Sequence, residues 1–193
     1  MTLLFSPALK PAVRQVVFTS TNQNKYREVQ SILALRGIEA RFARAELVEI
    51  QSDSLEAIAK EKAKSAFAHV SRSVIVEDDG LFIDALGGFP GQYSSYAFRT
   101  IGNAGILKLL SGRQDRSASF VSLIAFNDGN DVVIFEGKVA GRISEQEASG
   151  GWGYDPIFVP DGADHTYSEL QNKNDYSHRR KALDRFAEWY LRL

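Results

Sequence analysis

The chain has 193 residues, 44% of them hydrophobic and 24% charged, enough for one domain, as a single body or as two lobes, with a sizeable core. A formal net charge of -1 gives no general footprint for duplex nucleic acid, so a polyanion would have to meet local basic clusters. The sequence has no cysteine, which excludes disulfides, thiolate nucleophiles and cysteine-ligated zinc and fits a cytoplasmic protein, and it has no apolar stretch long enough to span a membrane.

In residues 1–14, Pro7 and Pro11 interrupt Leu3, Leu4 and Phe5 and no signal-peptide core follows. They read as an irregular extension or a start-site artefact ahead of a single domain over 15–193. The β-branched and aromatic run Val16 to Ser20 predicts a short strand. It leads through Ser20, Thr21, Asn22, Gln23, Asn24 and Lys25 into a helix with Tyr26, Val29, Ile32 and Leu33 on one face. Gly37 stands where that helix would take a left-handed residue, and Ile38 to Phe42 predicts the next strand, an α/β start. Asn22 and the first amides of the helix can bind phosphate oxygens, and Lys25 can reach the same anion. The segment is not a Walker loop, since the spaced glycines and the Lys-Ser/Thr pair are missing, and it equally fits an ordinary helix cap.

Glu46 and Glu49 follow in a connector, where an isolated glutamate is ordinarily solvated. Asp53 and Glu56 have the spacing of a helix-start capping pair, ahead of an apolar face of Leu55, Ile58, Ala59, Ala63, Ala66 and Phe67. Ser73 to Val76 predicts a buried strand ending in Glu77, Asp78 and Asp79, with Gly80 after them. Gly87, Gly88, Pro90 and Gly91 then form a loop whose main chain can approach a ligand. Carboxylates beside bare backbone fit a metal with a phosphate, or a solvated acidic turn. Tyr93, Ser94, Ser95 and Tyr96 lead to Arg99, and Asn103 to Leu110 predicts a helix up to Gly112.

Ala118 to Phe126 and Val132 to Gly137 predict an antiparallel hairpin turning at Asn127 to Asn130, with Lys138 to Ile143 prolonging it, so the sheet should be mixed. Trp152, Gly153, Tyr154 and Asp155 place an indole beside flexible backbone and a carboxylate, where a planar base can stack or the indole can plug the core. Thr166 and Glu169 fit a capping box. After Lys173, Ser177-His178-Arg179-Arg180 opens a final helix with Leu183, Phe186, Ala187 and Tyr190 on one face. His178 and Arg179 can bind phosphate or a base carbonyl, whereas Arg179, Arg180 and Lys181 as a run are more often a solvated face.

Five ordered blocks, STNQNK (20–25), EDDGL (77–81), GGFPGQYSS (87–95), GWGYDPIF (151–158) and SHRRKAL (177–183), resemble the inosine/xanthosine triphosphate pyrophosphatase family over nearly the whole chain. The resemblance implies an elongated, two-lobed α/β fold with a long twisted mixed sheet, a central cleft and a homodimer. It implies magnesium-dependent hydrolysis of a non-canonical purine nucleoside triphosphate to the monophosphate and pyrophosphate, with no stable nucleic-acid partner and no membrane. Ser20, Thr21, Asn22, Gln23, Asn24 and Lys25 would hold the triphosphate, Lys173, His178 and Arg179 would complete the site, and Trp152 to Asp155 would receive the base. Asp78 matches the acidic catalytic position and would bind Mg²⁺, with Glu77 beside it and Glu49 as the second metal carboxylate. Trp152 stands where the family usually has phenylalanine. Asp79 stands where it commonly has serine or threonine, and its charge would either recruit another cation or point away. Two other readings are a related pyrophosphatase for modified pyrimidine or canonical nucleotides, and a nucleotide-binding protein that has lost turnover.

Overall fold

The computed structural model describes residues 14–193; of the expected extension only Arg14, the first residue of β1, falls among them. A mixed sheet is formed by β1 (Arg14–Thr19), β2 (Ile38–Ala43), β3 (Val74–Ile83), β4 (Pro90–Gly91), β5 (Ser117–Asn127), β6 (Val132–Ile143) and β7 (Phe158–Pro160). Its order is β2-β1-β3-β5-β6-β7, with β4 also on β3. β1 runs parallel to β2 and β3, and the later pairings are antiparallel. The helices are α1 (Gln23–Ala34), α2 (Leu55–Val70), α3 (Ser94–Thr100), α4 (Gly102–Leu109), α5 (Lys173–Tyr176) and α6 (His178–Tyr190).

Successive side chains of a strand alternate faces, and that alternation sorts the core. Val16, Phe18 and Ile75 pack under α1 and α6 with Val29, Ile32, Leu183 and Phe186. Val17, Val74 and Val76 point the other way, onto Ala59, Ala63 and Ala66 of α2. A third cluster lies further along the long strands, where Leu81, Ile83, Phe120 and Val139 meet Ile106 and Leu110. β3, β5 and β6 thus run through two lobes, which meet near Glu77 to Gly80. Gly137 lets the first turn of α6 rest on β6, since a Cβ there would stand 2.0 Å from the His178 carbonyl oxygen.

Four local expectations change. The acid triplet does not end its strand, because β3 continues unbroken to Ile83. What ends is its neighbour: β1 pairs with β3 only as far as Phe18 opposite Ile75 and stops at Thr19. From Glu77 to Gly80 β3 keeps β5 on one side and opens to a crevice on the other, until β4 takes that edge at Leu81 and Phe82. Ser54, not Asp53, caps α2, its hydroxyl accepting from the Ala57 N–H at 3.2 Å. Thr166 does bond to Glu169, but only a turn follows, as Tyr167 is drawn into the core beside Phe120 and Phe158. α3 has no counterpart in the sequence reading. Its start is held by the Ser94 hydroxyl, which accepts from the Leu81 N–H at 2.8 Å and donates to the Gly91 carbonyl at 2.6 Å.

Candidate active site

The crevice is a cavity of about 990 Å³ beyond the end of β1, between the two lobes. In an open α/β sheet this is where ligands bind, because helix starts and strand ends present polar backbone and side chains there. Of the residues expected in the site, Ser20, Thr21, Asn22, Asn24, Lys25, Glu49, Glu77, Asp78, Asp79, Trp152, Gly153, Tyr154, Asp155, Lys173, His178 and Arg179 line it. Gln23 is exposed and does not.

The polar loop contributes differently from the sequence reading. Asn22 Oδ1 accepts from the N–H groups of Asn24 (2.9 Å) and Lys25 (3.2 Å), and the Asn22 N–H donates to Ser20 Oγ. Those amides are therefore spent on the helix cap. The loop meets a ligand through its side chains, above all the Lys25 ammonium.

Period-two alternation divides the acid triplet. Glu77 and Asp79 face α1 and α6, whereas Asp78 faces α2. Glu77 is buried, accepting from Ser122 Oγ at 2.6 Å and from Arg179 Nε at 2.8 and 2.9 Å. Asp79 takes Lys25 Nζ at 2.7 Å on one oxygen and Arg179 Nη2 at 2.8 Å on the other. Arg179 Nη1 also meets Glu28, so this guanidinium, 1% exposed, carries three carboxylates. Burial pulls the Arg179 and Lys25 cations toward neutrality, but Glu77, Glu28 and Asp79 outweigh it for Arg179, and Asp79 and Glu77 for Lys25; both proton affinities rise. Burial likewise pushes the Asp79 carboxyl up, and Lys25, His178 and Arg179 more than reverse it.

On the other face, Lys62 Nζ lies 2.8 Å from Glu49 and 3.5 Å from Asp78. Two carboxylates from separate segments thus converge on one positive charge. Burial raises the Asp78 carboxyl above the usual range, and Lys62 and Lys25 only partly oppose it. Among the described residues no group of three or more histidines or carboxylates is arranged to hold a metal. Asp78 and Glu49 are the carboxylates here that could hold a hard divalent ion, and their oxygen chemistry fits one. Glu77, with both oxygens committed to Arg179 and Ser122, is built to anchor the arginine.

The base end of the crevice is organised by Glu28. Its carboxylate accepts from the Trp152 indole N–H at 2.9 Å and from Lys173 Nζ at 3.0 Å, besides Arg179. Burial pushes Glu28 up, but Arg179 and Lys173 prevail and hold it at about 2. Lys173 also donates to Asp155 at 2.7 Å, yet burial still wins at Asp155, whose carboxyl is raised. Lys173 and Arg179 lie 5.0 and 5.4 Å from the centroid of the Trp152 ring. The indole is partly exposed and lines the crevice, so it does not plug the core. Tyr154 is buried, its hydroxyl donating to the Ser94 carbonyl. His178 stacks on Phe120 at 4.5 Å, and burial lowers its pKa despite Asp79 at 3.9 Å. Its Nδ1 has no hydrogen-bond partner among the described residues.

Three functional residues escaped the sequence reading. Glu28 lies three positions after Lys25 on α1, the one signal that could have put it at the crevice. Lys62 is a cation inside the apolar face Ile58, Ala59, Ala63, Ala66, and Ser122 is the polar residue in a buried strand run, a pattern that calls for a partner. A second groove of about 810 Å³ near Arg116 has no comparable set of converging cations, because Arg116 donates to the main-chain carbonyls of Leu110, Ile143 and Ser144.

A crevice between lobes with an indole at one end, paired cations in the middle and two converging carboxylates beyond defines an α/β protein for an extended polyanion bearing an aromatic group. The chain belongs to the Ham1 family, whose model matches residues 16–189. It is 50% identical over 180 residues to the dITP/XTP pyrophosphatase of Methanopyrus kandleri, covering 91% of this chain and 96% of that one. It is 45% identical over 184 residues to the protein of the same name from Saccharolobus solfataricus, covering 94% and 95%. Among solved structures, a HAM1 protein from Coxiella burnetii superposes with a TM-score of 0.79 at 31% identity, over 93% of this chain and all of that one (100%).

Proposed function

We propose that this protein hydrolyses non-canonical purine nucleoside triphosphates of the dITP and XTP kind to the monophosphate and pyrophosphate. The observation that carries the reading is the order of groups along the crevice: Trp152 for the base, Lys173, Arg179 and Lys25 for negative charge, and Asp78 with Glu49 beyond them. Relatives at 50% and 45% identity named for this activity support it.

The chemistry follows from charge. Water attacking a triphosphate meets a polyanion, so the site must neutralise charge, align the water and stabilise the leaving pyrophosphate. Lys25 and Arg179 offset phosphate charge from one side. Asp78 and Glu49 would hold Mg²⁺ on the other side, and the ion would supply further positive charge there. Asp78 lies on the α2 face of the crevice, where a carboxylate can also accept a proton from the attacking water. Trp152 stacks on the base, and His178 with the start of α6 offers donors to a carbonyl at C6, where adenine carries an amino group.

The proposal includes a homodimer, supported by the exposed Phe89, Ile101 and Leu109 around β4 to α4, apolar side chains outside the crevice lining that a second copy would cover. It also includes a cytoplasmic address, as the absence of cysteine fits. No described helix is long and apolar enough to cross a membrane.

The test is incubation with inosine, deoxyinosine, xanthosine, adenosine and guanosine triphosphates plus Mg²⁺, with products resolved. Pyrophosphate and monophosphate from the first three, well ahead of the others, is expected. Release of orthophosphate and a nucleoside diphosphate would overturn the bond assignment, and saturable binding without turnover would leave a nucleotide-binding protein.

A further inference from the structure

Resting on the triphosphate reading, we propose that Asp79 is an internal counter-anion: its carboxylate occupies the Lys25 and Arg179 cation pair and yields it to phosphate oxygens when a polyphosphate binds. The two cations that face the middle of the crevice are not free. Asp79 holds Lys25 Nζ at 2.7 Å through one oxygen and Arg179 Nη2 at 2.8 Å through the other. A bidentate carboxylate between a lysine and an arginine presents two oxygens much as a phosphate edge does.

The neighbouring acids do not share this position. Glu77 has a side chain 0% exposed, is held by Arg179 Nε and Ser122, and has Lys25 no nearer than 3.6 Å. Glu28 serves Trp152 and Lys173 as well as Arg179. Asp79 alone of the three has a side chain as much as 21% exposed, against 13% for Glu28, and it faces the cavity. It can leave its cations without opening the core. Arg179 would still be carried by Glu77 and Glu28, so the site survives the exchange.

The exchange has a definite consequence for affinity. A ligand that takes Lys25 and Arg179 must first displace a well-formed pair and then tolerate the displaced carboxylate nearby. Both costs fall on the incoming triphosphate and on the departing pyrophosphate. Asp79 therefore weakens polyphosphates as a class and shortens the stay of an anionic product, clearing the cleft between turnovers.

The experiment is calorimetric titration of inorganic tripolyphosphate and pyrophosphate onto the whole protein, with a chelator present, for the wild type, Asp79→Asn and Asp79→Ser. Removing one negative charge close to the anion should tighten both ligands by about tenfold or more. The gain should shrink when Lys25→Gln is combined with Asp79→Asn, and pyrophosphate should become a stronger inhibitor of Asp79→Asn and Asp79→Ser. Unchanged or weaker polyphosphate binding in folded variants would overturn the proposal, as it would mean that Asp79 positions the cations for the ligand. Failure of both variants to fold would overturn it too, because the carboxylate would then be structural. In a separate titration of Mn²⁺ without chelator, weaker Mn²⁺ binding by the variants, with polyphosphate affinity unchanged, would overturn the proposal and make Asp79 a metal ligand. These titrations need neither a base nor turnover, so failure of the hydrolysis assay with tightened binding here would remove only the functional reading on which this one rests.

Discussion

Replacing Glu28 by Gln tests how the base end of the crevice is held together. The amide keeps an acceptor for the Trp152 indole but removes the negative charge that Lys173 and Arg179 share. The Glu28 carboxyl is held at about 2, against an ordinary 4.5. At about 1.4 kcal/mol for each tenfold change in proton affinity, the ionised group contributes about 3 kcal/mol to folding at neutral pH. The folded value is the depressed one, so this contribution is complete above pH 4.5 and is lost as pH falls from there through 2. Urea denaturation of wild type and Glu28→Gln should therefore give a difference of about 3 kcal/mol at pH 7.5, narrowing toward about 2 kcal/mol at pH 3.5 and disappearing below the folded value. Lys173 keeps Asp155 and Arg179 keeps Glu77, so the variant should fold. A difference below about 0.5 kcal/mol at pH 7.5, or one that grows on acidification, would refute the assignment of Glu28 as the shared counter-charge.

Asp78→Asn should lower kcat by about a hundredfold or more in the hydrolysis assay while leaving thermal stability equal or higher, since the buried carboxylate is disfavoured where it stands; near-normal turnover would remove Asp78 from the chemistry. Trp152→Ala should raise KM for inosine and adenosine triphosphates by similar factors, roughly the 1 to 3 kcal/mol of a base–aromatic stack, and a selective loss for inosine would give the indole a role in reading the base. Gly137→Ala should lower the melting temperature and kcat/KM together, because the added Cβ would strike the His178 carbonyl at 2.0 Å and push the first turn of α6 off the sheet; an unchanged melting temperature would contradict that seat. Arg179→Ala should cost about 3 to 5 kcal/mol in stability by stranding buried Glu77, and a cost near zero by denaturation would show Glu77 to be hydrated.

Local rules fixed much of this molecule. The 3.6-residue periodicity of Val29, Ile32 and Leu33, the left-handed Gly37 at φ 72 and the alternation of residues 118–126 announced α1, its end and the hairpin strands, because each depends on neighbours in the chain. The five ordered blocks marked more than half of the residues that line the crevice. Other features were decided only when distant segments met. That Glu77 and Asp79 face one way and Asp78 the other follows from β3 continuing past the acids, which depends on pairing with β5, with partners as distant as Ile83 and Ala118 or Glu77 and Ile124. That the acids still meet a crevice follows from β1 stopping short. Arg179 looked like part of a solvated run; three carboxylates from α1 and β3 make its burial tolerable, and no property of residues 179–181 could reveal them. Glu28 and Lys62 were unremarkable helix residues in sequence, and they acquire their roles from ion pairs between elements, where burial and charge act through space and leave no period in the chain.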